Sequence, residues 1–111
     1  MIEKILLDYL SAALPVPVRM EIQEKPPPSF VILEKTGGGR KSGINTATIA
    51  IQSYAGTLLA AAELNEAIKF AMDDVADLWA ICKAELNSDY NFTDTASKRY
   101  RYQAVYDITH Y

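Results

Sequence analysis

The sequence predicts an α+β domain: a mainly antiparallel sheet of about five strands with two helices packed on it, in the order α-β-β-β-α-β-β. Three observations predict it. Apolar residues recur at helical spacing in two separate stretches, one at the start of the chain and one in its middle. Period-two alternation fills much of the rest, in runs of strand length. Those runs follow one another in sequence instead of alternating singly with helices, which favours antiparallel pairing and an α+β arrangement.

The first helix is carried by Ile2, Ile5, Leu6, Tyr9, Leu10 and Ala13, with Glu3, Lys4, Asp8 and Ser11 between them. Pro15 and Pro17 end it, because proline cannot donate to a helical ladder. Val18, Met20 and Ile22 then alternate with Arg19, Glu21 and Gln23, the pattern of a half-buried strand. Pro26-Pro27-Pro28 forces an extended connection to a continuous apolar run, Phe30-Val31-Ile32-Leu33, read as the second strand. Thr36-Gly37-Gly38-Gly39-Arg40-Lys41-Ser42-Gly43 reads as a flexible loop. Beyond it Ala47, Ile49 and Ile51 alternate with Thr46, Thr48 and Gln52 in a third strand.

Gly56 and Thr57 mark the start of the second helix, Thr57 being able to cap its first free amides. Its apolar seam is Ala61, Leu64, Ile68, Ala71, Val75 and Leu78, with Glu63, Glu66, Lys69, Asp73 and Asp77 outside. The helix ends between Asp73 and Ile81. The period then changes to two. Ala84, Leu86, Tyr90 and Phe92 are expected on one face of a strand, and Glu85, Asn87, Asp89 and Asn91 on the other. After Thr93–Lys98, the residues Tyr100, Tyr102, Ala104, Tyr106 and Ile108 alternate with Arg101, Gln103, Asp107 and Thr109. Two such strands joined by a loop form an antiparallel hairpin. No repeat or linker divides the chain, so residues 1–111 are read as one domain.

Composition bounds the function. With 111 residues, half of them hydrophobic and 23% charged, the chain can build one core without disulfides or metal. The formal net charge of −3 and the absence of a basic stripe give no electrostatic reason to expect nucleic-acid binding. The charge is uneven: residues 1–56 hold six basic and five acidic groups, residues 57–111 five and nine. Cys82 is alone, which excludes an intramolecular disulfide. No apolar run approaches the ~20 residues of a membrane span. Met1-Ile2-Glu3-Lys4-Ile5 places charges where a signal peptide would be apolar, so a reducing cytosol is the expected compartment.

The search for catalytic chemistry returns little. The glycine-rich stretch lacks the Gly-Lys-Ser/Thr order of a phosphate-binding loop, because Arg40 separates Gly39 from Lys41-Ser42 and a strand follows. His110, the single histidine, lies one residue from the end of the sequence and reads as an exposed tail residue, a poor place for a general base. Asp73, Asp74 and Asp77 match no calcium-loop pattern and read as a solvated helix face. Cys82 has no histidine partner in sequence other than His110 and reads as a buried structural thiol. No catalytic, cofactor-binding or metal-binding residue is therefore assigned, and the chain is not read as an enzyme. Tyr90, Tyr100, Tyr102, Tyr106 and Tyr111 crowd the C-terminal hairpin, and tyrosine suits both a sheet face and a protein interface.

The short first helix, three strands with a long glycine-rich loop, and a long helix entered through Ser53-Tyr54-Ala55-Gly56-Thr57 make a familiar layout. So does the C-terminal hairpin around Asp89-Tyr90-Asn91-Phe92-Thr93-Asp94 and Arg99-Tyr100-Arg101-Tyr102-Gln103. Nearly the whole chain resembles the tail-terminator (tail-completion) proteins of long-tailed phages and prophages. The resemblance implies a ring, usually a hexamer, that caps the tail tube, stops its polymerisation and offers a face to the head-side connector protein. It also implies assembly in the host bacterial cytoplasm and a final place at the head–tail junction. Candidate interface residues are Gly37, Gly38, Gly39, Arg40, Lys41 and Ser42 in the loop, with Tyr100, Arg101 and Tyr102 on the hairpin. The loop is expected to be mobile in the free subunit and to order on assembly. The alternative is a non-viral, monomeric or dimeric adaptor that binds a partner through the tyrosine-rich hairpin.

Overall fold

The computed structural model describes residues 1–97 and 99–111. Its elements are α1 (Ile2–Ala13), β1 (Val18–Arg19), β2 (Phe30–Lys41), β3 (Ile44–Ala55), α2 (Leu58–Met72), a short 3-10 turn (Val75–Asp77), β4 (Ile81–Asn91) and β5 (Tyr100–His110). The expected α-β-β-β-α-β-β order is therefore the observed one. The strands form a single sheet ordered β1-β2-β3-β5-β4. It is mostly antiparallel, the exception being β1, which runs parallel to β2.

Both helices lie on one face. Ile2, Leu6 and Leu10 of α1 and Ala61, Ile68 and Met72 of α2 are buried. Apart from Ala61, these residues form one core with Val31 and Leu33 of β2, Ala47, Ile49 and Ile51 of β3, and Ala104, Tyr106 and Ile108 of β5. The strand residues in that core are alternate ones, as a sheet covered on one face requires. The Tyr9 hydroxyl donates to the Ala71 carbonyl at 2.6 Å and ties α1 to α2. Thr57 caps α2 as expected, its side chain accepting from the Ala60 amide at 3.1 Å.

Three expectations are corrected. The first strand is only two residues long, and Met20 and Ile22 are exposed. Alternation existed there without a partner strand to pair it. The second correction concerns residues 36–43, which are not a loop. β2 continues through all three glycines, with Gly37 opposite Thr48, Gly38 opposite Ala47, Gly39 opposite Thr46 and Lys41 opposite Ile44. Only Ser42 and Gly43 turn the chain, with φ of 52° and 79°. Positive φ at both central residues is the geometry of the tight hairpin turn that matches strand twist. Glycine lowers strand preference, but the long partner strand β3 satisfies this backbone, and paired amides outweigh the propensity.

The third correction concerns β4. Leu86 pairs with Tyr106 and Ser88 with Val105, leaving Asn87 as an extra residue between them. A one-residue bulge reverses the alternation beyond it. Ala84 and Leu86 therefore face the helices, while Tyr90 and Phe92 face the opposite side, where they meet β5. The sequence pattern placed all four on one face. Lys98, in the expected hairpin loop, lies outside the described residues.

Candidate functional site

Three surfaces gather the residues that could meet a partner. The first is the tip of the β2–β3 hairpin. β1 pairs only with Val31 and Ile32, so the outer edge of β2 is open from Leu33 to the turn. Residues 34–41 are exposed. Arg40 and Lys41 make no ion pair among the described residues, and Ile44, directly across from Lys41, is 42% exposed. Thus Gly37, Gly38, Gly39, Arg40, Lys41 and Ser42 do form one continuous exposed feature, but a paired and extended one.

Gly38 has a local reason to be glycine. A Cβ there would come within 2.8 Å of the Thr46 carbonyl oxygen and 2.9 Å of Lys35 Cε. The Lys35 stem thus lies across the bare backbone. No such constraint acts at Gly37, where an added Cβ would meet nothing within 4 Å.

The second surface is the helix-free face of the sheet at the end away from the hairpin tip. Phe30 stacks on Tyr54 with ring centroids 4.6 Å apart, and Ile32 completes a small buried cluster. Arg101 sits over the Phe92 ring at 4.4 Å from its centroid. It donates from Nε to the Phe92 carbonyl at 2.6 Å and from Nη1 to the Tyr54 hydroxyl at 2.7 Å. The Tyr54 hydroxyl donates to Gln52 Oε1 at 3.2 Å, Gln52 Nε2 to Gln103 Oε1 at 2.8 Å, and Gln103 Nε2 to the Tyr90 hydroxyl. Donors and acceptors are consumed inside this chain of contacts, so it stiffens the sheet. Arg101 is committed to it. Tyr100 and Tyr102 are half-buried neighbours on β5, and Tyr102 lies opposite Ser53 on the helix side.

The third surface was not legible in the sequence. A groove of about 470 Å³ runs between α2 and β4, walled by Phe70 and Leu86 and floored by Met72, Ala84 and Tyr106. Phe70 is 78% exposed and Leu86 44%. Glu66 and Asp73 stand on the rim with Lys69. Lys69 is already paired, to Glu66 at 2.8 Å and to Asp89 at 3.4 Å. The Glu66 hydrogen bond is the largest influence and raises the Lys69 pKa; desolvation comes next and opposes it, and the Asp89 contacts add to the rise. Burial, with the Asp73 charge next in weight, pushes the Tyr106 phenol up to about 12. Buried Asn65 reaches across to Asp89 at 3.3 Å and helps fix β4 beside the helix. The signal for this groove was Phe70, an aromatic residue among the charges on the outer side of α2.

A smaller depression, on the helix-free face, is lined by Thr46, Thr48, Lys83, Glu85, Asp107 and Thr109. Asp107 there accepts from Thr48 at 3.3 Å and Asn87 at 2.9 Å. Among the described residues no group of His, Cys, Asp and Glu is arranged to hold a metal ion, and no helix is long and apolar enough to cross a membrane. Two expectations reverse here: His110 is buried because the ladder pairs it with Asn45 and Ile81, its Nδ1 3.1 Å from the Tyr111 carbonyl, while Cys82, at a register shift on the edge strand β4, is exposed instead of buried. No protein-family model matches the chain, and no curated protein matches it.

Proposed function

We propose that this chain is a structural assembly subunit of a phage or prophage particle. It caps the tail tube as a ring, six-membered as the resemblance implies, ends tube polymerisation and joins the tail to the head-side connector. The carrying observation is that two of its exposed surfaces differ in kind and sit on opposite edges of one sheet. A basic hairpin lies at the β2 edge and an acidic-rimmed apolar groove at the β4 edge. Surfaces that differ in this way suit heterologous contacts, which close into rings when the rotation permits. Trp79, 86% exposed in the turn before β4, adds apolar area of the kind that marks an interaction surface.

The experiment is to mix the purified chain with tube protein and follow light scattering and tube length by electron microscopy. The expected outcome is a ring at tube ends and shortened tubes. A 1:1 complex, or no interaction, would sink the terminator reading. Tight binding of an unrelated partner by a chain that never assembles would favour the adaptor instead.

A further inference from the structure

We infer that the β2–β3 hairpin tip of one subunit inserts into the groove between α2 and β4 of the next copy of this chain. The inference rests on the ring reading and names the contact that builds the ring. The tip offers one exposed apolar side chain, Ile44, beside Lys41, with Arg40 next to them. The groove offers apolar walls, Phe70 and Leu86, and carboxylates at its rim, Glu66 and Asp73. Each surface supplies what the other lacks: an apolar anchor and two cations on one, an apolar slot and two anions on the other.

The wider charge distribution points the same way. Between residues 34 and 41 stand Lys35, Arg40 and Lys41 against Glu34. Along α2 and the turn after it stand Glu63, Glu66, Asp73, Asp74 and Asp77 against Lys69. Asp73 makes no ion pair among the described residues. A tip cannot fill its own groove, because β3 and β5 separate β2 from β4 by roughly 14 Å.

Two rival contacts between copies are disfavoured. A symmetric tip-to-tip dimer would bring like charges together. Strand addition along the open edge of β4 would meet irregular pairing at Cys82 and Asn87, and bulges at edges obstruct it. The tip is already paired up to Lys41 and Ile44 across a two-residue turn, so it enters the slot preformed, and little further chain ordering is needed on docking.

Charge reversal tests this with a specific signature. One variant reverses the tip (Arg40→Glu with Lys41→Glu), and a second reverses the groove (Glu66→Lys with Asp73→Lys). Thermal melts and circular dichroism first establish that both fold. Each alone should lose the ring species seen for the wild type by native mass spectrometry, with tube protein added if the wild type needs it. Mixed together they should co-assemble in a 1:1 ratio, since each now offers what the other lacks, and only even-numbered alternating rings can close. Ile44→Asp should abolish assembly without changing the tip's charge complement to the same degree. If the wild type assembles and both reversed variants also assemble alone, or the mixture fails to recover rings, this contact is overturned while the ring reading stands. A wild type that never assembles, with or without tube protein, overturns both.

Discussion

At the residue scale, the glycines of β2 differ in what they must do, and substitution separates them. Gly38→Val places a Cβ against the Thr46 carbonyl, so the ladder must shift, and overpacking of this kind costs about 1–3 kcal/mol. Gly37→Ala meets open space without a positive φ, and should be neutral or stabilising by about 0.4–1 kcal/mol through the unfolded chain. Urea melts of the two variants test the extended hairpin directly, because a mobile loop would tolerate both alike. Tyr106 supplies a pH prediction. Its folded pKa, about 12, lies above the ordinary 10.0, so the unfolded chain ionises first. The stability Tyr106 contributes is fully present below pH 10 and is lost as pH rises through 12. Tyr9, raised by burial and then by Asp74 and Asp77, acts in the same direction. Tyr106→Phe should flatten part of the alkaline loss in denaturation curves between pH 9 and 12, and an unchanged slope would contradict the assignment.

At the element scale, the bulge at Asn87 decides which side chains β4 presents. It lets Leu86 line the groove while Tyr90 reaches Gln103 and Phe92 reaches Arg101. Deleting Asn87 restores simple alternation and turns Tyr90 and Phe92 toward the helices. The expected destabilisation is at least about 3 kcal/mol, comparable to truncating a buried side chain, and a near-native melting temperature would refute the bulge. The α2 cap is a smaller lever. Thr57→Ala should cost about 1 kcal/mol, whereas Thr57→Asn or Thr57→Asp should cost much less, because each retains an accepting oxygen. Far-ultraviolet melts of these variants separate capping from packing.

At the scale of the whole molecule, one layer of helices on one sheet face leaves the other face and both edges for contact. A net charge of −3 with no basic stripe predicts DNA binding that is weak and vanishes near physiological salt. Sub-micromolar binding at that salt would contradict it. Association between subunits should itself weaken with added salt, since the tip and the groove rim are exposed charges. Native mass spectra or light scattering across a salt series check this, and salt-independent assembly would point to a contact dominated by apolar area.

The sequence by itself determined the element types, their order, the cap at Thr57 and the apolar faces of α1 and β5, because each rests on local periodicity or a local hydrogen bond. It carried the α2 seam too far: the helix ends at Met72, and Val75 is buried from a separate 3-10 turn. It could not decide where pairing begins and stops. Residues 20–22 alternate but find no neighbour, whereas Gly37–Gly39 look flexible but are held by β3. Phase is equally a tertiary matter: Asn87 bulges only because β5 opposes β4 in a register that leaves one residue over. The groove, and with it the meaning of exposed Phe70, exists only once α2 lies beside β4. Local pattern fixes which face a residue would take within an isolated strand or helix; ladder partners, which come from far along the chain, fix whether that strand exists and which way it faces.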